Sequence, residues 1–121
     1  MTVIDFSLLD ARGTPRQSYE AGEKVFLQGE EAKGLFVVRS GRVQIITFGT
    51  VLENVGPGGV FGEMAMIDGA PRSAAAIATQ ASQVMMLDRE TFLYMIQQEP
   101  EFALRIMKVL ADRIRRMNSS L

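Results

Sequence analysis

The sequence predicts a mainly β domain, in which a barrel of about eight strands is followed by two helices. Eleven glycines lie between positions 13 and 69 and none after that, and the runs between them are short and rich in Val, Ile and Phe. Turn residues at a spacing of roughly 8–12 residues are typical of a sandwich or barrel. After Asp88 the spacing of the apolar residues changes to that of helices.

The predicted strands include KVFLQ, GLFVVRS, RVQIIT and TVLENV, each near the usual length of a strand. The clearest hairpin prediction is VVRSGRVQII, with Ser40 and Gly41 in the turn. AAAIATQASQVMMLDRE predicts two more strands, although its first alanines also suit a helix. These strands place the β part of the chain at about residues 16–88.

Two helices are predicted over about residues 89–121. Asp88 suits the N-cap of the first helix, and Pro100 ends that helix and lies in the first turn of the next. The last helix has one apolar face with Phe102, Ile106 and Val109. A second stripe follows heptad spacing and comprises Ala103, Met107, Leu110, Ile114, Met117 and Leu121.

The second stripe has three possible partners, which are another helix, a ligand or more of the barrel. A further interpretation is one wide stripe buried inside the domain. The basic residues of this helix are predicted to form a solvated face favoured by the helix dipole, and they are Arg105, Lys108, Arg113, Arg115 and Arg116.

Composition excludes several classes of function. At 121 residues and 47% hydrophobic, the chain fits one domain, residues 1–121. A net charge of −1 gives no reason to expect a nucleic-acid partner. The absence of Cys and His excludes disulfides, thiolate nucleophiles, His-based triads and the usual zinc ligands, so no metal is expected. No run approaches the ~18 apolar residues of a membrane span. We therefore expect a cytoplasmic protein.

One stretch carries the chemistry, FGEMAMIDGAPRSAAAIA, which contains one Glu and one Arg in apolar surroundings. The segment after Gly62 predicts one helical turn, and Arg72 after Pro71 has the planar guanidinium that suits a phosphate. Glu63 fits the same place if it accepts hydrogen bonds from a sugar hydroxyl, which together with the phosphate describes a nucleotide. The alternative is that Glu63 pairs with Arg72 across a turn.

The same stretch resembles the phosphate-binding cassette of the cyclic-nucleotide-binding domain family. That pattern is Phe-Gly-Glu-hydrophobic-Ala, a short variable turn, then Pro-Arg-Ser/Thr/Ala-Ala. Here it is Phe61-Gly62-Glu63-Met64-Ala65 and Pro71-Arg72-Ser73-Ala74. The similarity extends from about Tyr19 to Met117 and includes AGEKVFLQGEEAKGLFVVRSGRVQI. It implies a jelly-roll-like β-roll with a short phosphate-cassette helix.

The resemblance also implies roles for individual residues. Glu63 would bind the ribose 2′-hydroxyl, and Arg72 with the amides of Ala65 and Ser73 would bind the cyclic phosphate. In the transcription factors of this family a Thr-Ser pair on the last helix meets adenine, and it aligns with Met117 and Asn118. Asn118 is therefore a candidate base contact, with a solvated helix end as the alternative. The resemblance implies that the ligand is cAMP or cGMP, and we expect cAMP to be preferred.

This sequence departs from the family before the first strand, where the family has a helix. TVIDFSLLDARGTPRQ looks like an extended arm and contains Pro15. The overall expectation is a non-enzymatic sensor without a DNA-binding domain of its own. Its last helix would meet a second copy or an effector protein. The competing expectation is a degenerate fold that serves as an interaction module without nucleotide.

Overall fold

The computed structural model describes Ile4 and residues 6–119. Eight strands and four helices follow one another in the order α1 Phe6–Ala11, β1 Arg16–Tyr19, β2 Lys24–Phe26, β3 Leu35–Ser40, β4 Val43–Thr47, β5 Thr50–Val55, β6 Val60–Phe61, α2 Met64–Asp68, β7 Ala75–Ala78, β8 Ser82–Leu87, α3 Arg89–Gln98 and α4 Glu101–Ser119. The predicted mainly β fold with a short internal helix and two C-terminal helices is confirmed. No helix in the described part of the chain is long and apolar enough to span a membrane.

The strands form two antiparallel four-stranded sheets. The first has the order β1-β8-β3-β6 and the second the order β2-β7-β4-β5. The position of strand β3 explains why its sequence is apolar at consecutive positions. Leu35 and Val37 face one core cluster, whereas Phe36 and Val38 face another, so both faces of the strand are buried.

One core cluster lies inside the barrel and the other lies under the helices. The inner cluster combines residues of both sheets, including Phe36, Val43, Phe61 and Val84. The outer cluster covers the first sheet with side chains from the helices, and its members include Leu9, Met95, Phe102 and Ile106. The helices are therefore fixed to one face of the barrel.

The hairpin predicted around Ser40 and Gly41 is wrong. Strand β3 pairs with β6 and β8, whereas β4 pairs with β5 and β7, so the turn carries the chain from one sheet to the other. Gly41 has φ +92°, and a side chain there would lie 2.6 Å from the carbonyl oxygen of Ala81. A tight turn in the sequence indicates a reversal of the chain, but the strands' other partners decide the pairing.

The extended arm predicted before the first strand is also wrong, because residues Phe6–Ala11 form helix α1. Leu9 has no exposed surface and packs in the outer cluster. Gly13, with φ +75°, donates its amide to the Asp10 carbonyl and ends the helix, so Pro15 lies beyond it. Six residues are too few for a periodic pattern, and packing on the barrel stabilises this helix.

Helix α3 begins as predicted. The Asp88 carboxylate accepts the Thr91 amide at 2.8 Å, as an N-cap does, and this hydrogen bond is the main cause that lowers the pKa of Asp88. In α4, Phe102 and Ile106 are buried, whereas Met107 and Ile114 of the second stripe are mostly exposed. The side chain of Met117 and the whole of Leu121 lie outside the part of the chain that the structure describes.

Candidate functional site

A pocket of about 550 Å³ lies between the second sheet, α2 with the loop that follows it, and α4. Its volume is within the range of small-molecule sites. The strands, α2 and α4 supply mostly apolar walls, and charged side chains enter from three places. The charged lining residues are Glu53, Arg72, Arg113 and Arg116, and the apolar walls include Ile45, Leu52, Ile67, Leu110 and Ile114.

Most of the predicted site residues meet at this pocket. Those that line it are Gly62, Met64, Arg72, Ser73 and Ala74. Phe61 does not line the pocket, because it has no exposed surface and stacks on Phe36 with ring centroids 5.2 Å apart. The side chains of Ala65, in α2, and Asn118, in α4, are outside the described part of the structure.

The guanidinium of Arg72 is held by two backbone carbonyls and an aromatic ring. It donates from Nη1 to the Gly62 oxygen at 3.0 Å and from Nη2 to the Gly34 oxygen at 2.6 Å. It also lies 4.2 Å from the ring centroid of Phe26. Burial lowers the pKa of Arg72, and the nearby Glu30 carboxylate partly opposes this. The side chain is therefore fixed before any ligand arrives.

Arg72 retains one open donor. Its Nε is buried and has no hydrogen-bond partner in the described part of the chain. A buried donor without an acceptor costs about 1–3 kcal/mol. Such a group gains energy when an anionic oxygen binds beside it, and neither backbone carbonyl needs to be released for this.

Gly62 allows the backbone to approach Arg72. It has φ +74°, and a Cβ at this position would lie 2.8 Å from Arg72 Nη1. Any side chain would therefore be strained and would also push the guanidinium away from its carbonyl partner. A glycine is therefore required at position 62, because its φ is positive and because Arg72 leaves no room for a side chain.

The predicted alternative that Glu63 pairs with Arg72 is wrong. The Glu63 side chain has no exposed surface, and its Oε1 forms an ion pair with Nη1 of Arg113 in α4. Its Oε2 is buried and has no partner among the described residues. A buried carboxylate needs a counter-charge, and Arg113 supplies it. One acceptor of Glu63 thus remains open.

The prediction of a solvated basic face on the last helix fails at Arg113. The Arg113 side chain also donates from Nη2 to Glu53 Oε2 at 2.7 Å, and Arg116 donates to the Leu52 carbonyl at 3.0 Å. Lys108 and Arg115 do extend into solvent, with side chains 66% and 74% exposed. The sequence carries no indication of the Arg113 pair, because Glu63 and Arg113 are fifty residues apart.

Arg72, which lines the pocket, has one unpaired buried donor. Glu63 does not line the pocket itself but pairs with the lining residue Arg113, and it has one unpaired buried acceptor. Their natural complement is a ligand with an anionic oxygen for Arg72 and a hydroxyl for Glu63. The apolar walls would accept a flat heterocycle. No group of Asp or Glu side chains that could hold a metal ion is found among the described residues.

Comparison with known proteins agrees with this chemistry. The sequence model of the family described as Cyclic nucleotide-binding domain matches residues 16–99. Among curated proteins, the chain is 34% identical over 105 residues to the Cyclic AMP receptor protein of Thermus thermophilus. The matched region covers 83% of this chain and 49% of that protein. It is 42% identical over 73 residues to the cAMP-dependent protein kinase regulatory subunit of Yarrowia lipolytica, covering 60% of this chain and 20% of that protein.

The fold is also similar to that of a solved structure from the organism of the first curated relative. The crystal structure of the Thermus thermophilus catabolite activator protein superposes with a TM-score of 0.78 at 32% identity, covering 94% of this chain and 56% of that one. The chain thus spans about half the length of the first curated relative and a fifth of the second.

Proposed function

Because this chain belongs to the cyclic nucleotide-binding domain family, we propose that it is a non-enzymatic sensor that binds a cyclic nucleotide and signals through α4. The observation that carries the proposal is the pair of buried, unpaired polar atoms, Arg72 Nε and Glu63 Oε2. The cyclic phosphate would accept from Arg72, and the ribose 2′-hydroxyl would donate to Glu63.

We propose cAMP as the preferred nucleotide, with cGMP as the weaker ligand. The two curated relatives described above carry cyclic AMP or cAMP in their names. Ser73 lines the pocket beside Arg72 and would contact the phosphate, and Asn118 is the proposed contact to the purine edge. Without Cys or His, the sequence offers neither a thiolate nor an imidazole for catalysis, which supports a binding role. The lack of Cys fits a reducing compartment, and we propose the cytoplasm.

Helix α4 is the proposed output because it forms part of the pocket. Leu110 and Ile114 contribute to its wall, and Arg113 reaches across to Glu63. A ligand that fills the pocket must therefore touch α4 directly. Any shift of this helix would reach the outer core cluster through Phe102 and Ile106, which pack there.

The ligand proposal is tested by thermal unfolding with matched nucleotides. Saturating cAMP at a hundredfold excess over Kd stabilises the folded state by about 2.7 kcal/mol. That corresponds to a rise in Tm of about 10 °C at roughly 4 °C per kcal/mol. Linear AMP and 2′-deoxy-cAMP should raise Tm much less, because each lacks one of the two groups that Arg72 and Glu63 bind. If neither cAMP nor cGMP shifts Tm at millimolar concentration, the chain is an interaction module instead.

We also propose that the exposed stripe of α4 binds a second copy of the chain. Met107 and Ile114 of this stripe are 61% and 58% exposed, which is unusual for large apolar side chains on one helix. A parallel pair of these helices would bury both residues of each chain in a coiled-coil seam.

Ile114→Glu and Met107→Glu should each convert the dimer to a monomer, because each places like charges on both sides of the seam. Met107 does not line the pocket, so Met107→Glu should leave nucleotide affinity unchanged. Sedimentation measures the oligomeric state and calorimetry the affinity. A monomeric wild type, or a Met107→Glu variant that still dimerises, would contradict this interface.

A further inference from the structure

Phe26, the last residue of β2, faces the inside of the barrel because of an irregularity in the sheet. Lys24 lies opposite Ile77 of β7. Two positions later Phe26 lies opposite Ala76, so β2 has one more residue than β7 over this stretch. Consecutive side chains of a regular strand point to opposite faces, whereas a bulge re-aims one of them. Val25 and Phe26 accordingly both pack against the inner core cluster.

The ring of Phe26 lies against the guanidinium of Arg72, with Cζ 4.2 Å from the ring centroid. The ring is itself held in place, because its centroid is 5.8 Å from that of Phe36 and 6.0 Å from that of Phe61, and both of these rings are buried. An aromatic face attracts a cation, and it does so more strongly where water is excluded. Phe26 therefore restrains the guanidinium in addition to the two carbonyls that accept its hydrogen bonds.

The turn that follows Phe26 holds the main chain of Arg72. The Gly29 amide donates to the Arg72 carbonyl at 2.8 Å, and the Arg72 amide donates to the Glu30 carbonyl at 2.9 Å. The end of β2 and this turn thus position both the main chain and the side chain of Arg72. A guanidinium that is already fixed loses less conformational freedom when an anion binds, so such contacts increase affinity.

Phe26 and Arg72 also lie where two cavities meet. Both residues line the ligand pocket and a second cavity of about 520 Å³ beside β1, β2 and β3. The second cavity has charged residues of its own, Glu30, Glu31 and Lys33. Opposite charges attract one another less strongly in polar surroundings than in apolar ones. An apolar ring at this boundary therefore strengthens the attraction between Arg72 and an anion in the ligand pocket.

We propose that Phe26 is a positioning residue for the phosphate of the ligand, and that its ring holds the Arg72 guanidinium in place and separates it from the second cavity. This inference rests on the proposed function. It adds to the ligand site a residue outside the cassette that acts through Arg72. Its effect is therefore specific to ligands that carry a phosphate.

The test compares cAMP with adenosine, which has the same base and sugar but no phosphate, on the Phe26→Leu variant by calorimetry. Leucine keeps an apolar side chain but removes the aromatic face. We expect the affinity for cAMP to fall about fivefold to thirtyfold, which corresponds to the loss of a cation–π contact shielded from water. The affinity for adenosine should change by less than about twofold, because adenosine has no group for Arg72 to bind.

Two further variants complete the experiment. Phe26→Tyr keeps an aromatic ring and should bind cAMP within about twofold of the wild type. Phe92→Leu removes a ring that packs edge-on to Phe102 in the outer cluster, with centroids 6.0 Å apart, and should leave both affinities unchanged. Thermal unfolding without ligand verifies that each variant is folded, and Phe26→Met replaces Phe26→Leu in the same comparison if the leucine variant does not fold.

The outcomes separate the inference from the proposed function. If the wild type binds neither cyclic nucleotide, both fail, and this is seen before any variant is made. If the wild type binds cAMP and folded Phe26→Leu binds it equally well, the inference about Phe26 fails alone. Equal losses for cAMP and adenosine would reduce Phe26 to a wall of the pocket, and a loss in Phe26→Tyr as large as that in Phe26→Leu would show that the aromatic face is not the cause. Either result would overturn the inference.

Discussion

Replacing Arg72 with Ala is expected to weaken cAMP binding by about 30-fold to several thousand-fold. In the proposed complex, the substitution would remove the main charged partner of a phosphate bound in a largely apolar pocket, and losing one partner of a buried charge pair costs roughly 2–5 kcal/mol. The loss includes preorganisation, because the Gly62 and Gly34 carbonyls hold the guanidinium in position before binding. Calorimetry with cAMP measures the change.

Arg72→Lys provides the matched comparison. It keeps a positive charge but loses the planar fork that contacts two carbonyls and would also contact the phosphate, so its affinity should lie between those of the wild type and Arg72→Ala. Removal of this buried side chain also frees two carbonyl oxygens, so folding of each variant should first be verified by circular dichroism. An unchanged affinity in folded Arg72→Ala would remove Arg72 from the ligand site.

Replacing Arg113 with Met is expected to destabilise the ligand-free protein by about 3–5 kcal/mol, because it leaves the buried Glu63 carboxylate without its counter-charge. Methionine keeps an apolar stem of similar length, which limits the contribution of lost packing. Urea unfolding, with the midpoint and slope both compared with the wild type, measures the effect.

A double variant distinguishes the charge from the packing. In Arg113→Met combined with Glu63→Gln, no unpaired charge remains, so much of the lost stability should return. Arg115→Met, on the same helix with a side chain 74% exposed, should cost less than about 1 kcal/mol. If Arg113→Met is no worse than Arg115→Met, then Glu63 does not depend on Arg113.

The cassette was predictable from the sequence because its residues are local. Gly62, Arg72 and Ser73 lie within twelve positions, Gly62 before the short helix α2 and the other two on the loop after it, and the resemblance to the family's cassette groups them. The structure puts all three at one pocket. Phe61 belongs to the same motif, but it serves the core rather than the pocket, and no local pattern separates these two roles.

Two errors in the fold have the same cause. The turn at Ser40 and Gly41 predicts a hairpin because the strands are adjacent in sequence, yet β3 pairs with β6 and β8, and β4 pairs with β5 and β7. No apolar period predicts helix α1, because six residues are too few to show one, and the helix is stabilised by Leu9 packing in the outer cluster. In both cases, distant contacts outweighed local preference.

The sequence by itself determined the class of fold, the number of strands and the cap of α3. These follow from short apolar runs, turn chemistry and short-range spacing, which are properties of neighbouring positions, whereas the cassette was indicated by its resemblance to the family's motif. Only the tertiary structure decided that Glu63 pairs with Arg113 instead of Arg72, and that Glu53 shares the same cation. The physical reason is that a buried charge selects its counter-ion by proximity in the folded chain, and proximity between β5, α2 and α4 exists only once the barrel has closed.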